Sequence, residues 1–270
     1  MPDNAPARPI ALALSTHPGP TVAVTAVTAV LALGVGLDIG RLLLVTAAVF
    51  FNQVSVGLSN DWIDADRDAA AGRLDKPVAL GLVSRATARN AAGAAVVVSL
   101  ALSALLGPLT LALQTVFIAS AWAYNLGLKS TPVSVVPYIV SFGLLPMLAS
   151  SVFQWPLAVA GAMLGVAAHF ANVLPDLADD AATGVRGLPH RAGRRVTGVV
   201  VAGALAAASV ALLFVGMPGP VQWLGFVASL LLAAATAVLV VRYLPTRWVF
   251  RLIIAAAIID VVLLVLSSGF

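Results

Sequence analysis

Two short stretches of the sequence hold most of its carboxylates. All eleven acidic residues are Asp, and five of them lie in NDWIDADRDAAAGRLDKP, residues 60–77. Three more lie in NVLPDLADD, residues 172–180. Carboxylates so close together repel one another unless a cation neutralises them. The clustering therefore predicts that both stretches bind cations.

The spacing of the first stretch gathers its polar groups on one side of a helix. Asn60, Asp61, Asp64 and Asp68 stand at positions i, i+1, i+4 and i+8. At about 100° per residue, these positions fall within an arc of about 100° on one helix face. Asp66 is expected to point elsewhere. The stretch thus predicts three carboxylates and one amide converging on one surface.

The second stretch repeats the pattern. Asn172, Asp176 and Asp180 are spaced i, i+4 and i+8, with Asp179 beside them. Charges in a solvated loop are the alternative explanation for one such stretch. Two stretches with a leading Asn and the same four-residue spacing favour a paired site instead.

The residue types suit an anionic ligand. Mg²⁺ prefers carboxylate and water oxygens and is usually held by one or two carboxylates together with substrate phosphates. Arg and Lys side chains can contact the remaining phosphate oxygens. Basic residues lie within or just after both stretches: Arg67, Arg73, Lys76, Arg186, Arg191, Arg194 and Arg195. The two stretches therefore predict a site for a Mg²⁺-bridged diphosphate.

The elements that must position these residues are membrane helices. Hydrophobic residues make up 61% of the chain and charged residues only 10%, and the mean hydropathy is +1.03. A soluble domain carries about 25% charged residues. The chain has no Cys, which excludes disulfides and thiolate metal sites. The composition predicts a polytopic membrane protein, and the net positive charge reflects topology rather than nucleic-acid binding.

Helices that cross a bilayer need about 20 mainly apolar residues. Nine segments are predicted as spans: 20–37, 42–60, 88–106, 108–127, 133–152, 156–175, 197–216, 221–242 and 249–267. The first Asp stretch follows the second span, and the second Asp stretch follows the sixth. Residues 1–270 are expected to form a single membrane-embedded domain. Residues 1–18 do not resemble a signal peptide, and 9–18 is either an interfacial lead-in or a disordered tail.

The basic residues predict the orientation of these spans. With nine spans, fourteen of the fifteen Lys and Arg residues fall on one side, and only Arg41 falls on the other. Short loops rich in Lys and Arg face the cytoplasm. We therefore expect an integral protein of the cytoplasmic membrane, with its N-terminus and both Asp-rich loops in the cytoplasm.

The two motifs resemble those of the UbiA superfamily of intramembrane prenyltransferases. That superfamily has NDxxDxxxD after its second helix and DxxxD after its sixth, which correspond here to NDWIDADRD (60–68) and DLADD (176–180). GRLDKPVALG (72–81), YNLGLK (124–129) and NVLPDLADDAATGVRGLPHRAG (172–193) resemble further segments of the superfamily. The resemblance covers nearly the whole chain and implies an all-α fold of nine transmembrane helices around a central cavity.

The resemblance also implies a reaction. An isoprenyl diphosphate binds through Mg²⁺ to both motifs, its allylic C–O bond ionises, and an electron-rich aromatic or related lipid-precursor acceptor captures the carbocation, as in quinone or prenylated-metabolite biosynthesis. Asp64, Asp68, Asp176 and Asp180 would carry the catalysis; Asn60, Asp61, Asp64 and Asp68 would hold one Mg²⁺, and Asp176 and Asp180 the other. Arg73, Lys76, Lys129 and Arg186 would bind the diphosphate. Many members have Arg-Pro where this chain has Lys76–Pro77, so the bidentate fork of Arg is lost there.

Other polar residues and other functions remain open. Asn172 and the intramembrane Asp260 are candidates for contact with the acceptor or the cavity, and for Asp260 a hydrogen-bonded packing role is the alternative. His17 could reach the phosphates, although a turn residue is the simpler interpretation. A terpene cyclase would use the same Asp motifs without an acceptor. A divalent-cation or organic-ion transporter would be expected to place its charges nearer the bilayer midplane.

Overall fold

The structure is a computed structural model that describes residues 7–150, 152–174, 186–215, 218–242 and 246–268. Within these ranges the regular secondary structure is entirely helical, which confirms the all-α class. The α-helices are α1 Arg8–Leu14, α2 Pro18–Gly34, α3 Ile39–Ile63, α4 Ala65–Ala70, α5 Arg85–Leu106, α6 Pro108–Leu126, α7 Val136–Ser150, α8 Trp155–Val173, α9 Leu188–Leu212, α10 Pro220–Val241 and α11 Thr246–Ser268. A short 3₁₀ helix covers Leu128–Ser130.

Each of the nine predicted spans overlaps one of these helices. In the described ranges, six helices are long and apolar enough to cross a membrane: α3, α5, α6, α8, α9 and α10. A bend of 62° separates α1 from α2, and this pair qualifies as a seventh span when taken together. Helix α7 is apolar but has only 15 residues. The protein is an integral membrane protein, while the count of nine spans stays a prediction.

Local signals in the sequence account for several helix ends. Asp38 precedes α3, and its Oδ1 accepts a hydrogen bond from the backbone N–H of Arg41 at 3.0 Å. Ser84 does the same for α5, accepting from Thr87 N–H at 3.0 Å. Both are N-caps, which satisfy amide donors that have no partner inside the helix. Gly107 separates α5 from α6 with φ of 115°, a conformation that favours glycine.

Contacts between residues divide the chain into two compact units. The first contains residues 1–29 and 38–126, and the second contains residues 30–37 and 127–270. The first unit includes the first Asp motif, and the second unit includes the segment of the second motif. The single-domain organisation of residues 1–270 stays a prediction.

In the first unit, α3 packs against α5 and α6. A chain of buried hydrogen bonds links the three helices. The Ser99 hydroxyl of α5 donates to the Ala48 carbonyl of α3 at 2.7 Å, and Gln114 Nε2 of α6 donates to Ser99 Oγ at 2.9 Å. Polar side chains in membrane helices often join helices in this way. These bonds fix the register of the helix that leads into the first Asp motif.

In the second unit, α8 packs against α7 and α9, and α9 also packs against α10 and α11. Gly161 and Gly165 let α8 approach α7 closely. A Cβ added to Gly161 would lie 2.4 Å from the Phe142 carbonyl oxygen, and one added to Gly165 would lie 2.5 Å from that of Tyr138. Small residues four apart allow this approach in membranes. The sequence GAMLG at 161–165 therefore fixes the α7–α8 contact.

Candidate functional site

The first Asp motif forms the corner between α3 and α4. The prediction of one continuous helix through residues 60–68 is wrong, because α3 ends at Ile63 and Asp64 has φ −86° and ψ −1°. The backbone hydrogen bonds nevertheless keep a four-residue spacing. Asp64 N–H donates to Asn60 O at 3.0 Å, and Asp68 N–H donates to Asp64 O at 2.8 Å. The break therefore does not separate the carboxylates that the spacing placed together.

The three carboxylates of this corner are buried. Asp61, Asp64 and Asp68 are 1%, 6% and 5% exposed, respectively. Burial raises the pKa of Asp68, since a charged carboxylate loses favourable solvation there, while Lys76 acts in the opposite direction. The site thus concentrates acceptor oxygens in a place where each charge needs a partner.

Asp66 points away from this cluster, as its position on the helix predicted. It is exposed and pairs with both terminal nitrogens of Arg85. The hydrogen bonds from Arg85 lower the pKa of Asp66. Asp66 and Arg85 form a surface pair that lies outside the buried cluster.

A lysine ammonium lies inside the cluster. The Nζ of Lys76 donates to Asn60 Oδ1 at 3.0 Å and lies 3.2 Å from Asp61 Oδ1 and 3.9 Å from Asp68 Oδ2. Its side chain is only 8% exposed. Lys76, predicted as a diphosphate ligand, is therefore brought together with the predicted metal ligands.

Arg67 and two amides complete the cluster. A terminal nitrogen of Arg67 lies 2.7 Å from Asp64 Oδ2, and Asn60 Nδ2 donates to the same oxygen at 3.0 Å. Asn60 Nδ2 also lies 3.5 Å from Asn125 Oδ1 on α6. Asn125 is held in turn by bonds from its own Nδ2 to Ser59 Oγ at 2.7 Å and Val56 O at 2.9 Å. Asn125 was not singled out from the sequence, although it lies in YNLGLK.

Arg73, the other predicted diphosphate ligand of this loop, lies on the surface. Its Nε and one terminal nitrogen donate to the two carboxylate oxygens of Asp75, both at 2.8 Å. These bonds lower the pKa of Asp75 to about 2. Arg73 and Asp75 are 42% and 62% exposed, so an incoming anion could reach the guanidinium from solvent.

His17, in the turn between α1 and α2, lies beside the Asp cluster, although its sequence position favoured a simple turn role. His17 has φ of 54°, which is uncommon for a residue other than glycine. Its Nε2 lies 3.0 Å from Lys76 Nζ and 3.5 Å from Asp61 Oδ1. A lysine ammonium has no acceptor, so Lys76 donates to the imidazole. His17 is thus both a turn residue and a direct neighbour of the cluster.

Close packing holds this turn against α3. A Cβ added to Gly57 would lie 2.1 Å from the carbonyl oxygen of Thr16, the residue before His17. The same turn borders a cavity of about 490 Å³. That cavity is lined by Leu14, His17, Pro18, Gly19, Pro20, Leu74, Asp75, Pro77, Leu80 and Leu82. His17 therefore lies between the cavity and the Asp cluster.

The donor atoms of the first unit fit a hard cation. Asp61 Oδ1 and Asp68 Oδ2 are buried and lie 3.2 and 3.9 Å from the Lys76 ammonium, and carboxylate oxygens are preferred ligands of Mg²⁺. In the described ranges, no three His or Asp side chains are close enough to hold a metal by themselves. Among the described residues, these oxygens have the chemistry that suits Mg²⁺.

In the second unit, the segment after the second Asp motif is anchored next to Lys129. A Cβ added to Gly187 would lie 2.4 Å from the Lys129 carbonyl oxygen. The backbone N–H of Leu188 donates to Ser134 Oγ at 2.9 Å, and Ser134 Oγ lies 3.0 Å from His169 Nε2. Lys129, Ser134 and His169 are all buried. The predicted ligand Lys129 is thus close in space to the residue after Arg186.

The remaining predicted residues have different surroundings. Asp176 and Asp180, with Asp179, lie outside the described residues. Asn172 is exposed at the end of α8, and Arg186 is also exposed. Asp260 is fully buried in α11 and accepts a hydrogen bond from Ser209 of α9. This bond joins two helices.

Comparisons with known proteins agree with this architecture. A structure from work on digeranylgeranylglyceryl phosphate synthase in membranes matches with a TM-score of 0.75 at 14% identity, over 97% of this chain and 99% of that chain. A UbiA homolog from Archaeoglobus fulgidus bound to GPP and Mg²⁺ gives 0.73 at 14% identity, over 95% and 99%. An apo UbiA homolog from Aeropyrum pernix K1 gives 0.73 at 19% identity, over 89% and 94%.

The sequence comparison is more specific than these structural ones. A search of curated proteins finds no significant match. Structural matches at such low identity establish the fold alone. The model of the UbiA prenyltransferase family, however, matches residues 21–262, which is most of the chain. The protein therefore belongs to the UbiA prenyltransferase family.

Proposed function

We propose that the protein transfers an isoprenyl group from an allylic prenyl diphosphate to an aromatic or related lipid-precursor acceptor, in a Mg²⁺-dependent reaction. The observation that carries this proposal is the buried corner of Asn60, Asp61, Asp64 and Asp68. Family membership supports prenyl transfer. A UbiA homolog with the same fold is bound to GPP and Mg²⁺.

The residues of the chain have distinct roles in this reaction. Asn60, Asp61, Asp64 and Asp68 of the first motif would hold one Mg²⁺, and Asp176 and Asp180 of the second motif would hold the other. When bound, Mg²⁺ would neutralise charge on the diphosphate as it departs. Arg73, Lys76, Lys129 and Arg186 would contact the phosphate oxygens and orient the leaving group.

Cleavage of the allylic C–O bond leaves both bonding electrons on the diphosphate and a carbocation on the prenyl chain. The acceptor supplies an electron pair to the cation and then loses a proton. Water would quench the cation, so the apolar helices that surround the reaction in a membrane protein must exclude it. Asn172 and Asp260 stay candidates for contact with the acceptor or the cavity.

The test of this proposal is product analysis with purified protein. We expect Mg²⁺ and an allylic diphosphate, supplied with a panel of phenolic and lipid-precursor acceptors, to give an acceptor-linked prenyl product by mass spectrometry. EDTA should abolish its formation. Inorganic diphosphate should be released in equal amount.

Two other outcomes would contradict acceptor prenylation. A cyclic hydrocarbon or alcohol formed from the diphosphate alone would identify a terpene cyclase. Metal-dependent uptake into proteoliposomes, without turnover of any diphosphate, would identify a transporter.

We also propose that the protein lies in the cytoplasmic membrane with its N-terminus and both Asp-rich loops in the cytoplasm. The distribution of Lys and Arg supports this orientation. The chain has no Cys, so single Cys substitutions can report the side of each loop. In intact cells, a membrane-impermeant maleimide should label Val152→Cys and leave Ala70→Cys unlabelled until the cells are opened. Both positions are exposed, and the reverse pattern would invert the orientation.

A further inference from the structure

The Lys76 ammonium is surrounded by acceptor atoms of several residues. Its Nζ is 3.0 Å from Asn60 Oδ1, 3.0 Å from His17 Nε2 and 3.2 Å from Asp61 Oδ1. Asp68 Oδ2 follows at 3.9 Å. Lys76 is therefore a counter-charge for Asp61 and Asp68, and Asp68 also has an Arg67 nitrogen 3.8 Å away.

The oxygens around Lys76 belong to residues assigned to the metal. Asp61 Oδ1 and Asp68 Oδ2, both buried, lie 3.2 and 3.9 Å from the ammonium. A divalent cation on these oxygens would lie within a few ångströms of Nζ, where two positive charges repel strongly. Lys76 in this position and a bound metal are therefore mutually exclusive.

We infer that Lys76 is a tethered counter-ion that offsets part of the carboxylate charge in the metal-free site, and that it must leave the carboxylates before a divalent cation binds them. This inference rests on the proposed function. The displaced ammonium is then available to the diphosphate, whose charge it complements. Metal and diphosphate both favour the displaced state, so each should strengthen binding of the other.

The chain is built to hold Lys76 in place while allowing this movement. Its ammonium ends a flexible four-carbon stem, which can swing without any backbone change. The backbone beside it is fixed, since the Val78 N–H lies 3.5 Å from Asp61 Oδ2 and Leu80 N–H donates to Lys76 O at 3.0 Å. His17 is a positioning residue, because its Nε2 accepts from the ammonium on the side of the α1–α2 turn.

The test measures metal affinity in the absence of any diphosphate. Full-length protein in nanodiscs is titrated with Mn²⁺, and free Mn²⁺ is followed by EPR. Lys76→Met should lower the Kd for Mn²⁺ about tenfold or more, because one adjacent charge shifts an ionic equilibrium by one to three powers of ten. Arg85→Met removes the same charge from the surface pair with Asp66, and it should change the Kd by less than about twofold.

A second measurement follows the affinity for a diphosphate, which we expect to fall in the variant whose metal affinity rises. At saturating Mg²⁺, Lys76→Met should weaken binding of the unreactive analogue geranyl S-thiolodiphosphate about tenfold, while Arg85→Met should not. A residue that only maintained the shape of the site would weaken metal and diphosphate binding together. Tighter metal binding combined with weaker diphosphate binding therefore identifies a displaced counter-ion.

If Lys76→Met does not give folded protein, the Mn²⁺ titration is made with His17→Asn instead. Asn tolerates the left-handed backbone of position 17 but is too short to replace Nε2, so Mn²⁺ should bind about threefold more tightly. Unchanged or weaker Mn²⁺ binding in the folded variants would overturn the inference and leave the metal site standing. If the wild type shows no Mn²⁺ binding that Asp64→Asn removes, both the inference and the proposed metal site fail.

Discussion

Asp64→Asn is expected to lower kcat for prenyl transfer by about 10³-fold or more while the protein stays folded. Asp64 is buried at the end of α3, with Oδ2 facing both Asn60 Nδ2 and an Arg67 nitrogen. Asn keeps the shape of the side chain and removes its charge. Losing one preorganised charge-stabilising group typically costs 10² to 10³ in rate, and a weakened metal site adds to that loss.

Asp66→Asn is the matched control for this substitution. Asp66 lies two residues away in the same motif, but it is exposed and paired with Arg85. We expect its kcat to stay within about twofold of wild type, since exposed ion pairs contribute little. Rates should be measured at saturating Mg²⁺ and diphosphate, with circular dichroism to verify folding. A folded Asp64→Asn protein with a near-normal rate would disprove the role of Asp64.

Gly57→Ala is expected to reduce kcat/KM for the prenyl diphosphate by about 10- to 100-fold and to destabilise the protein. The new methyl group would lie 2.1 Å from the Thr16 carbonyl oxygen, and backbone cannot yield as a side chain can. The turn must therefore move away from α3, and it carries His17 with it. Displacing a positioning group by about 1 Å can cost 10²-fold in rate, and overpacking costs about 1–3 kcal/mol.

Gly93→Ala provides the comparison. Gly93 lies inside α5, and a Cβ there would meet nothing within 4 Å. Ala has a higher helix propensity than Gly by about 1 kcal/mol, so this variant should be as stable as wild type or more so. Thermal unfolding in detergent and steady-state kinetics measure both effects. Equal behaviour of the two variants would show that the α1–α2 turn does not support the site.

Much of the helical architecture could be predicted because its causes are local. Apolar runs about 20 residues long predicted the positions of the helices, and the break between the spans predicted at 88–106 and 108–127 matches the boundary between α5 and α6. The end of α3 at Ile63 was missed. A helix that continues through residue 64 satisfies the same spacing as one that breaks there, so the sequence pattern does not distinguish them. Both alternatives place Asp61, Asp64 and Asp68 together, so the error does not change the grouping of these three carboxylates.

The positions of His17 and Lys76 could not be predicted in the same way. His17 reaches the cluster because Thr16 packs on Gly57, and residues this far apart in sequence show no local signal of contact. The basic character of Lys76 indicates an anionic partner, and the family resemblance implies that this partner is the diphosphate. In the structure its partners are carboxylates of the chain itself. Charge predicts the type of partner, whereas tertiary packing decides which one is met.

The cavity beside the α1–α2 turn has a consequence for inhibitor design. Its walls are mainly Leu and Pro side chains together with Asp75, and His17 lies between it and the buried carboxylate of Asp61. A neutral, compact molecule seated there would press on the imidazole without having to imitate a pyrophosphate. An uncharged compound in this cavity would therefore show whether His17 can be perturbed without a diphosphate mimic.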